Sequence, residues 1–311
     1  MQRAVVVNRA DPGAGTMKGI GLMCVALALF SVLDTTAKYM ATVVQLPVAQ
    51  VVWVRFLSQF LLIILIAGVV AIPRLLTTRR LAHQMARSSL MLCSTVLNFM
   101  ALRHLRLDQT QTVYFLAPFV VALLAGPFLG EWVGWRRMLA IVFGFSGILV
   151  VVRPGYTAFD PALILALGSM LCYSGFMLLT RYLAAYDAPE VTLFYSLIAG
   201  TCVTAPFAMV DWVWPTELRV WLLMISMGAW GGLGHYIFIL AYRHASASTL
   251  APFIYLGLIT HTAGGFFVFG QVPDRWTIAG ALIVVASGVY LVHRERATLA
   301  ARRAQQALAR N

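Results

Sequence analysis

Very few ionisable side chains interrupt the long apolar runs of this sequence, and those few are the first candidates for chemistry. Asp34 lies in the run 17–40 and Arg55 in the run 47–70. At 1.5 Å per helical residue, both lie about 9 to 12 Å inside their runs, so the two side chains could meet at a similar depth. A charge at that depth in a membrane costs about 3 kcal/mol or more and marks a functional site by default.

Two interpretations of this pair are open. In the functional one, Asp34 binds a substrate amine or a proton, while Arg55 or Lys38 holds the charge of Asp34 or binds a substrate carboxylate. In the structural one, an ion pair between Asp34 and Arg55 fixes the first two helices to each other. Lys38 is a further possible partner for Asp34, because residues four apart are neighbours on a helix.

The remaining candidates are polar and aromatic side chains inside other apolar runs. Aromatic walls with a few polar groups suit a small amphipathic or apolar organic molecule, and packing between helices is the alternative for each ring. Besides Asp34 and Arg55, the predicted substrate-binding residues are Asn98, Tyr114, Tyr173, Trp230, His235, Tyr255 and His261.

Three of these residues have a more specific predicted role. Asn98 could hydrogen-bond a substrate carboxylate or amine, or it could join two helices. His235 and His261 could each bind a ligand or a proton, or pack as histidines with satisfied hydrogen bonds. The sequence leaves these alternatives open.

Glycines and prolines near these residues predict distorted helices. The stretch "GAWGGLGHYIF" (228–238) permits close helix contact or local bending, at about 1 kcal/mol of helix propensity for each glycine. A proline removes one backbone hydrogen bond, and distorted helices at corresponding positions of a repeat point to a binding site. The predicted helix-bending residues are Pro118, Gly231, Gly232, Gly234 and Pro252.

The elements that must position these residues are membrane helices. The chain has 311 residues, of which 61% are hydrophobic and 11% are charged, whereas soluble domains contain about 25% charged residues. About twenty apolar residues in a helix cross a hydrocarbon core. We therefore predict an all-α integral membrane protein with ten transmembrane helices, at 17–40, 47–70, 87–106, 109–130, 135–152, 160–182, 189–209, 217–241, 246–269 and 275–293.

The charge distribution predicts the orientation of these helices. The net charge is +12, and most Lys and Arg residues fall on the side of the amino terminus, which the positive-inside rule makes cytoplasmic. We expect both termini in the cytoplasm, a bacterial-type inner membrane, and a lipid bilayer that attracts the basic residues. No basic face interleaved with aromatic residues is evident, which argues against a nucleic-acid partner.

The chain also repeats itself. Residues 101–131 align without gaps on 241–271, and residues 29–41 align on 172–184. Because each unit contains five predicted helices, an odd number, the second unit must enter the membrane from the opposite side. We predict two inverted five-helix repeats with the functional cavity between them. The expected segments are a cytoplasmic N-terminal tail at 1–16, repeats at 17–155 and 156–293, and a basic cytoplasmic C-terminal tail at 294–311.

Two stretches of the sequence resemble a known family. The segments "WVRF" (53–56) and "LAPFVVALLAGPFLGEWVGWRRMLAIVFGFSGILVVVRPG" (116–155), together with the repeated unit, are similar to the EamA-type carriers of the drug/metabolite transporter superfamily. In the second unit the match to the family weakens, because Leu258 and Gln271 occupy the positions that align with Pro118 and Glu131. The family motifs match at Arg55, Pro118, Gly130, Glu131 and Gly147.

The resemblance implies a function and a site. It implies a secondary transporter that exports amino acids and related small metabolites by alternating access through a central cavity. The cavity would be bounded by the first, third, fourth, sixth, eighth and ninth helices. Uptake of a cationic metabolite such as S-adenosylmethionine, and proton-coupled efflux of cationic drugs, are the alternative functions.

Other functional classes lack their signatures. HExxH, GxSxG and Walker motifs are missing from the sequence, and no carboxylate pair falls inside a predicted helix, so an enzyme is not expected. The four cysteines form no CxxC or Cys/His cluster, so neither a metal nor a cofactor is expected. Ten helices can enclose a cavity without a second copy, and we therefore expect a monomer that binds a small-molecule substrate.

Overall fold

The computed structural model describes residues 12–117, 119–121, 123–124, 135–152, 160–183, 186–244, 250, 253, 256–287, 289–290 and 293. Within these residues the regular secondary structure is helical, without a strand. Two short helical turns, Val69–Ala71 and Ile72–Leu75, connect the second and third helices. The main helices are α1 Pro12–Thr42, α2 Val48–Ala67, α3 Leu81–His104, α4 Leu107–Tyr114, α5 Trp135–Val152, α6 Ala162–Leu183, α7 Pro189–Val210, α8 Leu218–His244, α9 Leu256–Phe269 and α10 Arg275–Ser287.

Five of these helices are long and apolar enough to cross a membrane by themselves, namely α1, α2, α3, α6 and α7. The outer surface of the bundle carries many large apolar side chains, such as Leu65, Phe207 and Phe267. A soluble monomer rarely exposes such a continuous apolar surface, because it would lie in contact with water. The exposed apolar side chains are therefore placed where they would contact the lipid of a membrane.

Helices fall within all ten predicted ranges, although their ends differ. One difference concerns α3, which was expected to begin at residue 87 and begins at Leu81. This expectation was wrong because polar residues such as Gln84 look like loop residues, but Gln84 is buried in the bundle and hydrogen-bonded there. The segments 125–134 and 245–249, which belong to the fourth and ninth predicted helices, lie outside the described residues.

Contacts along α1 fix the directions of its neighbours. A methyl group added at Gly231 of α8 would lie 3.7 Å from Leu33, and one added at Gly234 would meet Phe30, so α1 and α8 are antiparallel. Against α9 the order is reversed. Leu27 is the neighbour of Gly257 and Thr35 that of Gly264, so α1 and α9 are parallel.

Contacts of α3 with α1 and with α6 relate the directions of helices in the two halves of the chain. Asp34 contacts Asn98, and Lys38 contacts the carbonyl of Leu102, so α1 and α3 are parallel. In contrast, α3 and α6 are antiparallel, since Leu90 lies against Gly175 and Leu97 against Gly168. The first helix of the chain and the sixth therefore run in opposite directions.

The packing partners have a matching symmetry. Helix α1 packs most extensively on α8, and α3 packs most extensively on α6. Replacing each helix by the one five positions away in the chain turns the first contact into the second. The same exchange relates the α2–α8 contact to the α3–α7 contact, and the α1–α9 contact to the α4–α6 contact. Both halves thus contribute equivalent surfaces to one interface.

Glycines make the closest of these contacts. Helix α8 runs without a break through Gly231, Gly232 and Gly234, so in this conformation the glycines act by allowing close approach. At Gly228 an added methyl group would overlap the backbone of α2 at Ser58 and Gln59. Small residues at a membrane helix interface permit such proximity.

Candidate functional site

A cavity of about 230 Å³ lies at the centre of the bundle. Its walls come from α1, α2, α3, α4, α6, α8 and α9, so both halves of the chain contribute. Phenylalanine, tyrosine and histidine rings form much of the wall, and a few polar groups interrupt it. Seven of the nine predicted substrate-binding residues line this cavity, and they are Asp34, Arg55, Asn98, Tyr114, Tyr173, His235 and His261.

Of the other two predicted residues, Trp230 does not line this cavity. The indole Nε1 of Trp230 donates a hydrogen bond to Ser226 Oγ, 3.1 Å away on the same helix, and the ring packs beside the core between α2 and α8. Tyr255 lies outside the described residues, as do two of the predicted helix-bending residues, Pro118 and Pro252.

Asp34 has two polar partners from other helices. Asn98 Nδ2 on α3 donates to Asp34 Oδ1 at 3.3 Å, and His261 Nε2 on α9 lies 3.2 Å from Asp34 Oδ2. The other ring nitrogen of His261, Nδ1, lies 2.8 Å from the backbone carbonyl of Gly257. The carboxyl group therefore joins three helices at the cavity wall, and the sequence analysis did not foresee that its partner would be His261.

Arg55, in contrast to Asp34, is buried with few hydrogen-bond partners. Its side chain is 5% exposed, and its Nη1 donates one hydrogen bond, to Thr95 Oγ1 at 3.2 Å. Its Nε has no hydrogen-bond partner, and among the described residues no carboxylate lies within ion-pair distance of it. The guanidinium lies 4.9 Å from the ring centre of Phe56 and 5.7 Å from that of Phe99. A buried cation with unused donors is costly unless an anion joins it.

The i+4 pair between Asp34 and Lys38 is not formed. Lys38 is 3% exposed, and its ammonium donates to the carbonyl oxygens of Leu102, at 2.7 Å, and Leu105. These carbonyls belong to the end of α3, where the helix leaves acceptors without partners and carries a partial negative charge. Lys38 thus ties α1 to the end of α3.

Hydroxyl groups fix the position of Tyr114. Its phenol oxygen hydrogen-bonds to Ser169 Oγ on α6 and lies 3.2 Å from Ser94 Oγ on α3. Ser169 also donates to the carbonyl of Ser94 at 2.6 Å. The ring of Tyr173 packs edge-on against that of Tyr114, with centroids 5.5 Å apart. Sequence reasoning missed Ser169, for which a serine in an apolar run was the only available signal.

Positions that align in the two sequence repeats meet at this cavity. The opposite directions of α1 and α6 bring equivalent residues to one place from opposite sides. Phe30 also packs on His235, with ring centroids 4.9 Å apart. Aligned pairs that line the cavity include Phe30 and Tyr173, Leu33 and Phe176, and Asp34 and Met177. When the offset of 140 residues between 101–131 and 241–271 is extended upstream, Thr95 aligns with His235, and both also line the cavity.

A second buried arginine lies outside the cavity lining. Arg87 is 5% exposed and lies between α3, α6 and α7. Its Nε donates to Thr180 Oγ1 at 2.6 Å, and its Nη1 donates to the Thr192 carbonyl at 2.9 Å and to Ser196 Oγ at 2.7 Å. The guanidinium also lies 4.4 Å from the centre of the Phe176 ring. Sequence reasoning missed this network, because Arg87 is the first residue of the predicted helix 87–106 and its type and position gave no sign of these partners.

A bundle of apolar helices in which two equivalent halves line one partly polar cavity defines a class of membrane carriers. The profile of the EamA-like transporter family matches this chain twice, at residues 17–153 and 160–293. The chain belongs to this family and is a multi-pass membrane protein, and its membership indicates transport rather than catalysis. Both the resemblance and the transporter character predicted from the sequence are confirmed.

Several curated relatives align over nearly the whole chain. A riboflavin transporter of Vibrio cholerae is 26% identical, over 90% of this chain and 94% of its own. An S-adenosylmethionine uptake transporter of Rickettsia prowazekii is 25% identical, over 93% and 97%. A pseudopaline exporter of Pseudomonas aeruginosa is 27% identical, over 88% and 95%. These relatives move different small molecules in different directions.

A solved crystal structure also resembles the chain. It superposes with a TM-score of 0.61 over 94% of this chain and 98% of its own, at 18% sequence identity. A likeness of this kind shows a shared fold.

Proposed function

We propose that this chain is a secondary carrier that exports amino acids and related small metabolites by alternating access. The observation that carries the proposal is the arrangement of charge in the central cavity. Arg55 offers unused hydrogen-bond donors to an anion, while Asp34 offers a carboxyl group to a cation. A zwitterion with one carboxylate and one ammonium group complements both.

The chemistry of the two groups supports this assignment. A guanidinium binds a carboxylate through two parallel hydrogen bonds, and a bond to a charged group in a dry site is stronger than a neutral one. Arg55 reaches no described carboxylate in the protein, so a substrate carboxylate would relieve its desolvation. In this proposal Arg55 binds the substrate carboxylate, and Asp34 with Asn98 binds the amine.

The size and walls of the cavity support a small substrate with an apolar portion. Its volume of about 230 Å³ is below the range of about 300 to 1,000 Å³ that is typical for drug-sized ligands. Tyr114 and Tyr173 from one side, and Phe30 and His235 from the other, would contact the substrate side chain. Amino acids with apolar or aromatic side chains fit this description.

The transport mechanism follows from the relation between the halves. The opposite directions of α1 and α6, and the exchangeable helix contacts, support the prediction of two inverted five-helix repeats with ten spanning helices. Exchange of conformation between the repeats would open the cavity to either side in turn. Gly231, Gly232 and Gly234 on α8, with Pro118 and Pro252, are the proposed hinge positions. We further propose that the carrier works as a monomer in a bacterial inner membrane, with both termini in the cytoplasm.

S-adenosylmethionine uptake is the second candidate. It is supported by the names of several relatives and by the two opposite charges, because S-adenosylmethionine also contains an α-amino acid group. Its larger size counts against it in a cavity of about 230 Å³. Efflux of cationic drugs is supported by Asp34 alone and leaves Arg55 without a role.

A transport screen tests the proposal. Proteoliposomes loaded with unlabelled L-leucine, L-phenylalanine, S-adenosylmethionine or tetraphenylphosphonium would be assayed for counterflow of the same labelled compound. We expect counterflow of the two amino acids and little of the others. Inside-out and right-side-out membrane vesicles from cells would give the direction. Counterflow of tetraphenylphosphonium without either amino acid would refute the proposed substrate class.

The matched control is the variant Arg103→Gln, since Arg103 is exposed at the end of α3. It removes the same charge as Arg55→Gln without touching the cavity. Arg103→Gln should retain the counterflow of the unmodified chain, whereas Arg55→Gln should lose it. Equal loss in both variants would mean that net charge, rather than the cavity, determines the rate.

A further inference from the structure

Gln59 of α2 is a polar side chain enclosed in the bundle without a hydrogen-bond partner. It is 0% exposed, and among the described residues neither its Oε1 nor its Nε2 has a partner. Buried polar groups of native proteins are nearly always hydrogen-bonded, and a bare one in apolar surroundings is costly. The fold therefore keeps an unfavourable amide at this place, one helical turn from the equally unsatisfied Arg55.

Gln59 lies at the contact between α2 and α8, where α8 contributes glycines. A methyl group added at Gly231 would lie 3.3 Å from Gln59 Oε1 and 3.8 Å from Arg55 Nε. The third neighbour of that position is the apolar side chain of Leu33, at 3.7 Å. Because α8 is helical at Gly231, its backbone groups are used within the helix. The polar side chain nearest to the amide oxygen at this position is therefore Arg55.

Arg55 Nε and Gln59 Oε1 are complementary groups. The first is a buried donor without a partner, and the second is a buried acceptor without a partner. Residues four apart lie on the same face of a helix, and both atoms lie within 4 Å of the same point beside Gly231. Rotation about side-chain bonds is sufficient to join them.

A bond at Nε would determine where the rest of the guanidinium points. The group is planar and rigid, so fixing Nε also fixes the direction of both Nη atoms. Arg55 Nη1 already donates to Thr95, which lines the central cavity, whereas Nε is buried on the side of α8. A carboxylate in the cavity would bind the two Nη atoms through parallel hydrogen bonds.

We propose that Gln59 is a positioning residue for Arg55, and that its Oε1 accepts a hydrogen bond from Arg55 Nε when a carboxylate binds the Nη atoms from the cavity. In the observed conformation the donor and the acceptor are both unpaired, so the bond forms together with the ligand and adds to its binding free energy. The part that Gln59 plays in transport rests on the function proposed above, whereas the bond itself requires only a carboxylate.

Gln50 supplies the matched control on the same helix. It is also 0% exposed. Its Nε2 donates to the carbonyl of Val213 at 2.8 Å, and its Oε1 accepts from the amide of Val213 at 3.1 Å. The amide of Gln50 is thus fully engaged in tying α2 to the segment that follows α7.

Methionine substitutions separate the two glutamines, because methionine keeps the length of the side chain and removes the amide. Calorimetry in detergent would give the affinities for L-phenylalanine and for phenethylamine, which lacks the carboxylate. Gln59→Met should weaken the binding of phenylalanine about tenfold and leave that of phenethylamine unchanged. Its unfolding midpoint should rise by about 2 °C, because an unpaired buried amide is replaced by an apolar group. Gln50→Met should lower the midpoint and leave the ratio of the two affinities unchanged.

A second variant keeps the shape of the side chain and changes its charge. Gln59→Glu places a carboxylate one turn from Arg55, where it should occupy the guanidinium in place of the substrate. The preference for phenylalanine over phenethylamine should then disappear, and this result is available even if Gln59→Met does not fold. A role of Gln59 in packing alone predicts that Gln59→Met and Gln59→Glu both keep the preference.

The hydrogen bond is tested without an amino acid. The probe is sodium acetate, added to protein that is labelled with ¹⁵N-arginine and reconstituted in nanodiscs, and Arg55→Gln assigns the Nε–H signal in the NMR spectrum. Acetate should move the proton signal of Arg55 Nε downfield in the unmodified chain and in Gln50→Met, and much less in Gln59→Met. A signal that acetate leaves in place in the unmodified chain, or moves equally in Gln59→Met, would overturn the positioning role.

The outcomes separate the two proposals. An acetate effect that depends on Gln59, in a chain that binds neither phenylalanine nor leucine, would refute the proposed function and leave the positioning role intact. A preference for phenylalanine that survives in both Gln59→Met and Gln59→Glu would overturn the positioning role and leave the proposed function intact.

Discussion

Two arginines of this protein are buried to the same extent and are treated very differently by their neighbours. Arg55 and Arg87 are each 5% exposed, and neither has a described carboxylate within ion-pair distance. Arg87 donates three hydrogen bonds and lies against the Phe176 ring. Arg55 donates one hydrogen bond and leaves its Nε without a partner.

This difference separates a buried cation whose neighbours satisfy its donors from a buried cation whose donors are left unused. Burial alone does not distinguish them, because both are equally remote from solvent. The neighbours of Arg87 satisfy it, so it stabilises the contact between α3, α6 and α7. The neighbours of Arg55 leave donors unused beside a cavity, which is an unfavourable arrangement until a ligand completes it.

The largest effect is expected on transport, in a variant that removes the Arg55 charge. Arg55→Gln should lower the rate of amino-acid counterflow about 100-fold, because it removes two charge-assisted hydrogen bonds to the substrate carboxylate. Its thermal unfolding in detergent should stay close to that of the unmodified chain, since one weak hydrogen bond is lost. A large drop in thermal stability with normal transport per folded molecule would reverse the assignment.

Arg87→Gln should have the opposite effect, because it should lower stability and leave transport nearly unchanged. Arg87→Gln removes up to three hydrogen bonds between helices, and such bonds are worth about 0.6 kcal/mol each in membrane proteins. We expect a loss of about 2 kcal/mol in the free energy of unfolding, measured by thermal or denaturant unfolding in detergent. Transport per folded molecule should stay within about threefold of normal. Abolished transport at unchanged stability would place Arg87 in the transport pathway.

Two glycines of α8 sharpen the comparison, because they border the Arg55 side of the bundle. A methyl group at Gly228 would overlap α2 backbone, so Gly228→Ala should cost about 1 to 2 kcal/mol of stability. At Gly231 the nearest atoms would be Gln59 Oε1 at 3.3 Å, Leu33 Cδ2 at 3.7 Å and Arg55 Nε at 3.8 Å. Gly231→Ala should therefore cost less than about 0.5 kcal/mol. Unfolding curves of equal midpoint would contradict this difference.

The smallest effect concerns pH at the Arg87 end of the bundle. Gln84 Nε2 donates to Thr192 Oγ1 at 3.1 Å and to Asp187 Oδ2 at 2.8 Å. Partial burial opposes ionisation of Asp187, but hydrogen bonds from Thr78, Gln84 and the Arg79 amide, with the Arg79 charge, outweigh it and hold the pKa of Asp187 below its ordinary value.

Because the pKa of Asp187 is lowered in the folded state, ionisation of this carboxyl group stabilises the fold. The carboxylate contributes stability above the ordinary pKa of an aspartate, near 4, and this contribution is lost as the pH falls through the lower folded value. Asp187→Asn should thus lower the unfolding midpoint at neutral pH and make less difference below about pH 3. A difference that grows on acidification would contradict the assignment.

The sequence was sufficient to predict an all-helical membrane protein and to identify several residues that line the cavity, because both depend on local composition. Apolar run length predicts helices, and a charge inside such a run, like Asp34, is conspicuous. Alignment of the two halves placed Thr95 and His235 at equivalent positions, and both line the cavity. These inferences required no knowledge of which side chains touch.

The pairing of side chains could not be predicted in the same way. Lys38 and Arg55 each had Asp34 as an apparent partner, but the partners of Asp34 in the structure are Asn98 and His261, and His261 lies 227 residues away in the chain. The role of Arg87 could not be predicted because its partners, Thr180 and Ser196, are ordinary polar residues of distant helices. Only the packing of helices decides such contacts.

The central claim is that Arg55 holds the carboxylate of an amino-acid substrate. It is tested most directly by comparing the affinities for L-phenylalanine and for phenethylamine, which lacks the carboxylate, in the unmodified chain and in Arg55→Gln, by calorimetry in detergent. We predict that the unmodified chain binds phenylalanine about 100-fold more tightly than phenethylamine, and that Arg55→Gln binds both with similar affinity. A preference for phenylalanine that survives in Arg55→Gln would contradict the account.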